Sequence, residues 1–159
     1  VDVEVNKDMI TAHCPNPGSM IGLLKKNNRV WLTKTNNEKR KLKYTLQIIE
    51  DNNSKVGVNT HLTNKIVFHA LENKSIKEFK RVTYIKSEQT FGKHTRFDFY
   101  LEDNNNKFFL EVKNVTLSRK KKLAEFPDAI TARGLKHLKD LIKAIKQDYK
   151  SYIIYVIQR

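Results

Sequence analysis

The segment from Thr95 to Asn114, TRFDFYLEDNNNKFFLEVKN, constrains the fold of this chain more than any other. Two runs of alternating apolar and polar residues flank Asp103-Asn104-Asn105-Asn106, a stretch of turn formers, and the pattern predicts a β-hairpin. Side chains alternate across a strand. Phe97, Phe99 and Leu101 are therefore expected on one face of the first strand, with Arg96, Asp98 and Tyr100 on the other. In the second strand Phe108, Leu110 and Val112 share a face, and Phe109, Glu111 and Lys113 share the opposite one. A two-residue turn at Asn104-Asn105 and a four-residue loop give the same register, which sets Asp98 opposite Glu111 and Arg96 opposite Lys113. Opposed Cβ atoms lie about 5 Å apart, where like charges destabilise a sheet. A hard cation, Mg2+ or Mn2+, held by Asp98 and Glu111 would relieve that repulsion. With Lys113 beside them the acids would form a catalytic trio able to activate water. An exposed face on which Arg96 and Lys113 neutralise the two acids is the alternative that the hairpin leaves open.

Charge points to a partner. The chain has 159 residues, with 31 Lys+Arg against 17 Asp+Glu and a net charge of +14. Such an excess favours a polyanion, most simply nucleic acid, although a compositional habit of a Lys- and Asn-rich chain would give the same count. Cys14 is the only cysteine, which excludes a disulfide framework or a cysteine zinc site within the chain and fits a reducing cytoplasm. No apolar run approaches the roughly 20 residues of a membrane span, so no membrane partner is expected. The chain starts at Val1 in what reads as a strand, and stops at Arg159 just after another, as a segment of something longer would.

Residues 1–60 read as short strands, including 29–35, 42–50 and 55–60, separated by Asn-rich turns and without a helix. That pattern suggests a small β-barrel of the OB type, a fold that binds single strands through basic grooves and aromatic platforms. Trp31 is a candidate platform, and core packing is its ordinary alternative. Residues 61–159 read as α/β. A helix is expected at 64–71 with Asn64 as its N-cap, then a strand over 80–87, then the hairpin. Pro127 and Asp128 should open a second helix running to about Gln147, with Leu135, Leu138, Ile142 and Ile145 as its apolar stripe. Tyr152 to Ile157 should be a strand buried on both faces and parallel to the second hairpin strand, giving a right-handed βαβ unit. Arg96, the basic loop Arg119-Lys120-Lys121-Lys122, and Lys136, Lys139 and Lys143 on the second helix are the candidate nucleic-acid contacts.

Asp98 with Glu111-Val112-Lys113, on paired strands before an amphipathic helix, resembles the PD-(D/E)xK nuclease superfamily. The resemblance implies that Asp98 and Glu111 bind metal and that Lys113 positions the attacking water. A further acid from the preceding helix is common there, for which Glu72 and Glu88 are the candidates. A second resemblance covers nearly the whole chain. It rests on His13-Cys-Pro-Asn-Pro-Gly-Ser-Met20, Arg40-Lys-Leu, Val56-Gly-Val-Asn-Thr60, Arg96-Phe-Asp-Phe99, Glu111-Val-Lys-Asn-Val-Thr-Leu117 and Phe126-Pro-Asp-Ala-Ile-Thr-Ala-Arg-Gly-Leu-Lys-His-Leu138, in that order. Together they are similar to the sugar fermentation stimulation protein family. The family implies a small N-terminal OB-like β-barrel followed by a PD-(D/E)xK nuclease-like α/β domain, here with the boundary between 60 and 61. It also implies DNA binding with low sequence specificity and a regulatory link to sugar (maltose) metabolism. Pro17 stands where that family tends to have Thr, and His69-Ala70 where acids are common.

Overall fold

A computed structural model describes residues 1–120 and 122–159 and divides them into two compact units. Unit 1 comprises Val1–His61, Asn114–Ala129 and Ile157–Arg159, and unit 2 comprises Leu62–Lys113 and Ile130–Val156.

Unit 1 is organised by one strand. β1 (Asp2–Val5), β2 (Asp8–His13), β3 (Val30–Lys34), β4 (Tyr44–Asp51) and β5 (Ser54–Gly57) form a sheet in which β4 pairs with β2, β3 and β5. Two tight connections explain the local pairing. Asn6 and Lys7 (φ 53° and 73°) join β1 to β2, and Asn52 and Asn53 (φ 48° and 64°) join β4 to β5. Two consecutive left-handed residues make the hairpin turn that matches strand twist, and Asn tolerates that conformation best after Gly. Met20, Leu23, Leu46, Ile49, Val56 and Val58 form the core. The β3–β4 register shifts between Trp31 and Leu32, yet the two residues flanking Trp31 keep to one face. Val30 and Leu32 pack on the core, and Trp31 is left half-buried between the Lys55 amine (5.0 Å) and the Arg29 guanidinium (5.9 Å).

Unit 2 is a four-stranded sheet in the order β6 (Tyr84–Phe91), β7 (Thr95–Glu102), β8 (Lys107–Val115) and β9 (Lys150–Ile157). The hairpin has the expected register, with Phe99 opposite Leu110 and Glu102 opposite Lys107. Its turn is pinned by Asp103, whose Oδ1 accepts from the main-chain N–H groups of Asn105 (2.9 Å) and Asn106 (2.7 Å). Two apolar cores follow. Phe99, Leu101, Phe108, Leu110 and Val112 pack with Val67 and Leu71 of α1 (Thr60–Glu72). Phe109 packs with Leu141 and Ala144 of α2 (Ala132–Ile145).

Several expectations change here. Asn64 does not cap α1, which begins at Thr60; Asn59 serves that end, its Oδ1 accepting from the His61 N–H at 3.1 Å. Asp128 does not open α2. Its main-chain and side-chain oxygens accept from the Ser19 hydroxyl (3.0 and 3.2 Å) within unit 1, and Thr131 is the cap, its hydroxyl accepting from the Gly134 N–H at 3.0 Å. Thr131→Ala should therefore cost about 1 kcal/mol in a urea titration of the full chain, whereas Asp128→Ala should leave α2 unfrayed. The stripe Leu135, Leu138, Ile142 and Ile145 is exposed, by 44–55%. α2 packs through His137, Asp140, Leu141 and Ala144 instead. β9 is an edge strand, with Tyr155 and Ile157 exposed, not a strand buried on both faces.

Candidate functional site

The hairpin changes character at Asp98. Pairing of β6 with β7 skips Glu88 and Asp98, and Glu88 is left-handed (φ 59°). A non-glycine residue in that conformation marks a kink. Its consequence is visible in the packing: Phe97 joins Phe109 in the core against α2, with ring centroids 4.9 Å apart, while Phe99 lies in the core against α1. Phe97 and Phe99 thus do not share a face as alternation predicts. The described β7–β8 ladder ends at Phe99–Leu110. Beyond it the Val112 N–H donates to Asp98 Oδ2 at 2.7 Å, so the carboxylate takes a place a main-chain carbonyl would otherwise fill. Asp98 Oδ1 accepts from the Asn64 side chain of α1 at 2.7 Å. The acid is held between the strands and tied to α1, one residue along from Glu111.

Glu111 lies on the face that meets α2 and is 3% exposed. Its Oε1 accepts from the Lys113 amine at 2.5 Å and meets His137 Nδ1 at 2.5 Å. Its Oε2 is buried with no hydrogen-bond partner among the described residues. One oxygen is anchored by two donors and the other is presented bare, at a cost that native structures seldom carry without a ligand, ion or water. A hydrated hard cation fits that arrangement, since Mg2+ is held by one or two carboxylates with waters and substrate phosphates completing its shell. Among the described residues no group of three or more His, Cys, Asp or Glu is arranged to hold a metal; Asp98 and Glu111 are the two acids that the hairpin was expected to bring together. Neither Glu72 nor Glu88 joins them: Glu72 meets His69 at 3.4 Å and Glu88 meets Arg96 at 2.5 Å, both on the surface.

Two residues of the site escaped sequence reasoning. Asn64 stands where a helix acid was sought, and its position as a cap candidate hid that role. His137 drew no role from the sequence, yet His137, Leu141 and Ala144 fall at i, i+4 and i+7, a spacing that marks one buried face.

The proposed nucleic-acid contacts are dispersed. Lys136, Lys139 and Lys143 are exposed on α2; Lys136 donates to the His94 carbonyl and Lys143 meets Asp140 at 2.6 Å. Thr95 donates to the same Asp140 carboxyl, and these hydrogen bonds, Lys143 first, hold it below the usual carboxylate range. In unit 1, Arg119, Lys120 and Lys122 line a cavity of about 630 Å3 together with Asp51 and Arg159. Arg119 also grips Glu125 with two nitrogens, at 3.0 and 2.7 Å. Lys121 lies outside the described residues.

Comparison with known proteins decides the lineage. Residues 1–58 match the family model described as the SfsA N-terminal OB domain, and residues 61–159 match the sugar fermentation stimulation protein RE domain. The chain belongs to the sugar fermentation stimulation protein family. Its relatives include the sugar fermentation stimulation protein homolog of Pelagibacter ubique, 56% identical over 157 residues that cover 99% of this chain and 68% of that one. The homolog of Bartonella quintana is 45% identical over 97% of this chain and 66% of its own length. Among solved structures, one described as Pyrococcus furiosus SfsA in complex with Ca2+ superposes with a TM-score of 0.87 at 24% identity, covering 99% of this chain and 66% of that one. At that identity the likeness concerns the fold, an OB domain with an α/β domain, as the sequence implied. The chain spans about two thirds of the length of the family members it matches. No helix among the described residues is long and apolar enough to cross a membrane.

Proposed function

We propose that this protein binds DNA with little sequence preference, through lysine–phosphate contacts, and that Asp98 and Glu111 hold a divalent cation for phosphodiester cleavage. The binding reading rests on the net charge of +14, with the exposed lysines of α2 and the basic cavity of unit 1 as its local expression. A regulatory role in sugar metabolism, which the family name suggests, would act through that binding.

The cleavage reading is favoured by the bare Oε2 of Glu111. A bound cation would supply Lewis acidity and a template for the phosphate. Around it, His137 and Lys113 would fix Glu111 through Oε1, Asn64 and the Val112 N–H would fix Asp98, and the Lys113 amine would be a donor for a phosphate oxygen or water brought to Glu111. The Ca2+ named in the description of the Pyrococcus furiosus structure accords with a hard-cation site in this fold.

Fluorescence anisotropy on a short duplex of arbitrary sequence tests the binding reading. Affinity should fall log-linearly with salt, with a slope near 0.9 for each phosphate neutralised, and should change little when the sequence is shuffled. An affinity that is the same at low and high salt would exclude it.

A further inference from the structure

A depression in unit 2 lies on the α2 side of the sheet, with Lys136 and Lys143 of α2 in its lining. It is a cavity of about 790 Å3, lined by Tyr84, Lys86, Lys93, Tyr100, Glu102 and Tyr149 among others. Strand register builds its floor: Tyr84 stands opposite Glu102 and Lys86 opposite Tyr100, so these four side chains share a face. Tyr149 closes the aromatic group, its ring 6.5 Å from that of Tyr100, while Tyr84 packs edge-on to Tyr100 at 6.4 Å. Tyr84 is 48% exposed, which leaves ring surface available to a ligand. The Tyr100 hydroxyl donates to Glu102, and burial together with that carboxylate pushes its pKa up, so the ring stays neutral at any physiological pH. Lys86 and Lys93 are exposed at the rim.

An aromatic platform bordered by lysines, Lys86 and Lys93 beside the sheet and Lys136 and Lys143 on α2, suits a flat heteroaromatic ring with a phosphate attached. We propose that this cavity takes an unpaired base of a DNA strand, stacked on Tyr84, with its flanking phosphate at Lys86 and the following phosphates of the strand running toward Lys93. The base edge can donate to Glu102, whose carboxylate faces the same side. A duplex cannot present such a base without breaking a pair, so the cavity confers a preference for single strands, ends or bubbles over intact duplex. The inference rests on the DNA-binding reading and specifies it.

The test uses the full chain in chelator, at one fixed salt concentration, with a labelled twelve-residue thymidine oligonucleotide, a blunt hairpin duplex and free thymidine monophosphate. The parent should bind the oligonucleotide more tightly than the duplex. Tyr84→Ser should lower oligonucleotide affinity by about tenfold, within the range of one lost stack, and leave duplex affinity unchanged. Tyr84→Phe should behave as the parent. Lys86→Ala with Lys93→Ala should weaken the oligonucleotide more than the duplex. Tyr84 sits on an edge strand and half in solvent, so its substitution spares the core. Equal loss for both DNA forms, no loss on Tyr84→Ser, or Tyr84-dependent binding of the free nucleotide without any preference for the strand would each overturn the assignment while leaving DNA binding intact. If the parent binds neither DNA form, the DNA-binding reading falls, and this one with it.

Discussion

Glu111→Gln should remove metal-dependent cleavage, by about 100-fold or more, while DNA affinity stays within about twofold of the parent. The substitution keeps the shape of the side chain and takes away the charge that would face a cation. A metal contribution of several kcal/mol to transition-state stabilisation converts to at least that factor. The control is thermodynamic. Divalent cation at about 100 times its dissociation constant should stabilise the parent by about 2.7 kcal/mol, read as a rise in melting temperature that chelator reverses. Glu111→Gln should lose that rise. His137→Ala removes one of the two groups that fix Oε1, so it should weaken the cation-induced rise without erasing it, since partners of this kind tune affinity by about 10- to 100-fold. A Glu111→Gln protein that cleaves as fast as its parent would place the activity elsewhere or in a contaminant. A melting temperature indifferent to cation in the parent would remove the metal from the account.

Much of the frame around that site is legible in the letters, and the departures have physical causes. The turn at Asp103 and the hairpin register follow from alternation and Asx chemistry, which are local. What alternation cannot register is the kink at Glu88 and Asp98, because a left-handed glutamate carries no mark in the sequence as a glycine would. The kink sends Phe97 to the other core and frees the Asp98 carboxylate for the Val112 N–H. Helical periodicity failed on α2 for another reason. It reports that apolar residues form a stripe and not that the stripe is the packed face. The buried face carries His137 and Asp140, polar residues whose burial depends on Glu111 and Thr95 from the sheet. Sequence order separates those partners by 26 and 45 positions, beyond any local rule. β9 reads from its composition as buried on both faces, but Tyr155 and Ile157 are exposed and the strand closes the sheet at its edge, a place set by topology. The distributed motifs fared better: the family they resemble is the one whose two models match residues 1–58 and 61–159.

In unit 1 the largest stability effect is expected at Asp51. This residue ends β4 with 4% exposure, and its carboxylate receives the Lys25 amine at 3.0 Å and the Arg159 guanidinium. The Lys25 hydrogen bond is the main influence holding its pKa below the usual carboxylate range; burial opposes it, and the charges of Lys25 and Arg159 add to it. Removing one partner of a buried pair costs about 3–5 kcal/mol. Asp51→Ala should fall at the low end, about 3 kcal/mol, because the Lys25 side chain is 59% exposed and returns to water readily while Arg159 keeps the Thr116 carbonyl at 3.1 Å. Lys25→Ala should cost under about 1 kcal/mol for the same reason. The pH dependence has a fixed sign. A carboxyl whose pKa is lowered by folding stabilises the fold above its unfolded value, near 3.9, and loses that contribution as pH falls through the folded value. Urea titrations of parent and Asp51→Ala should therefore differ most at pH 7 and converge as the pH is taken below about 4. A gap that persists undiminished in acid would mean that Asp51 acts through its shape and not its charge.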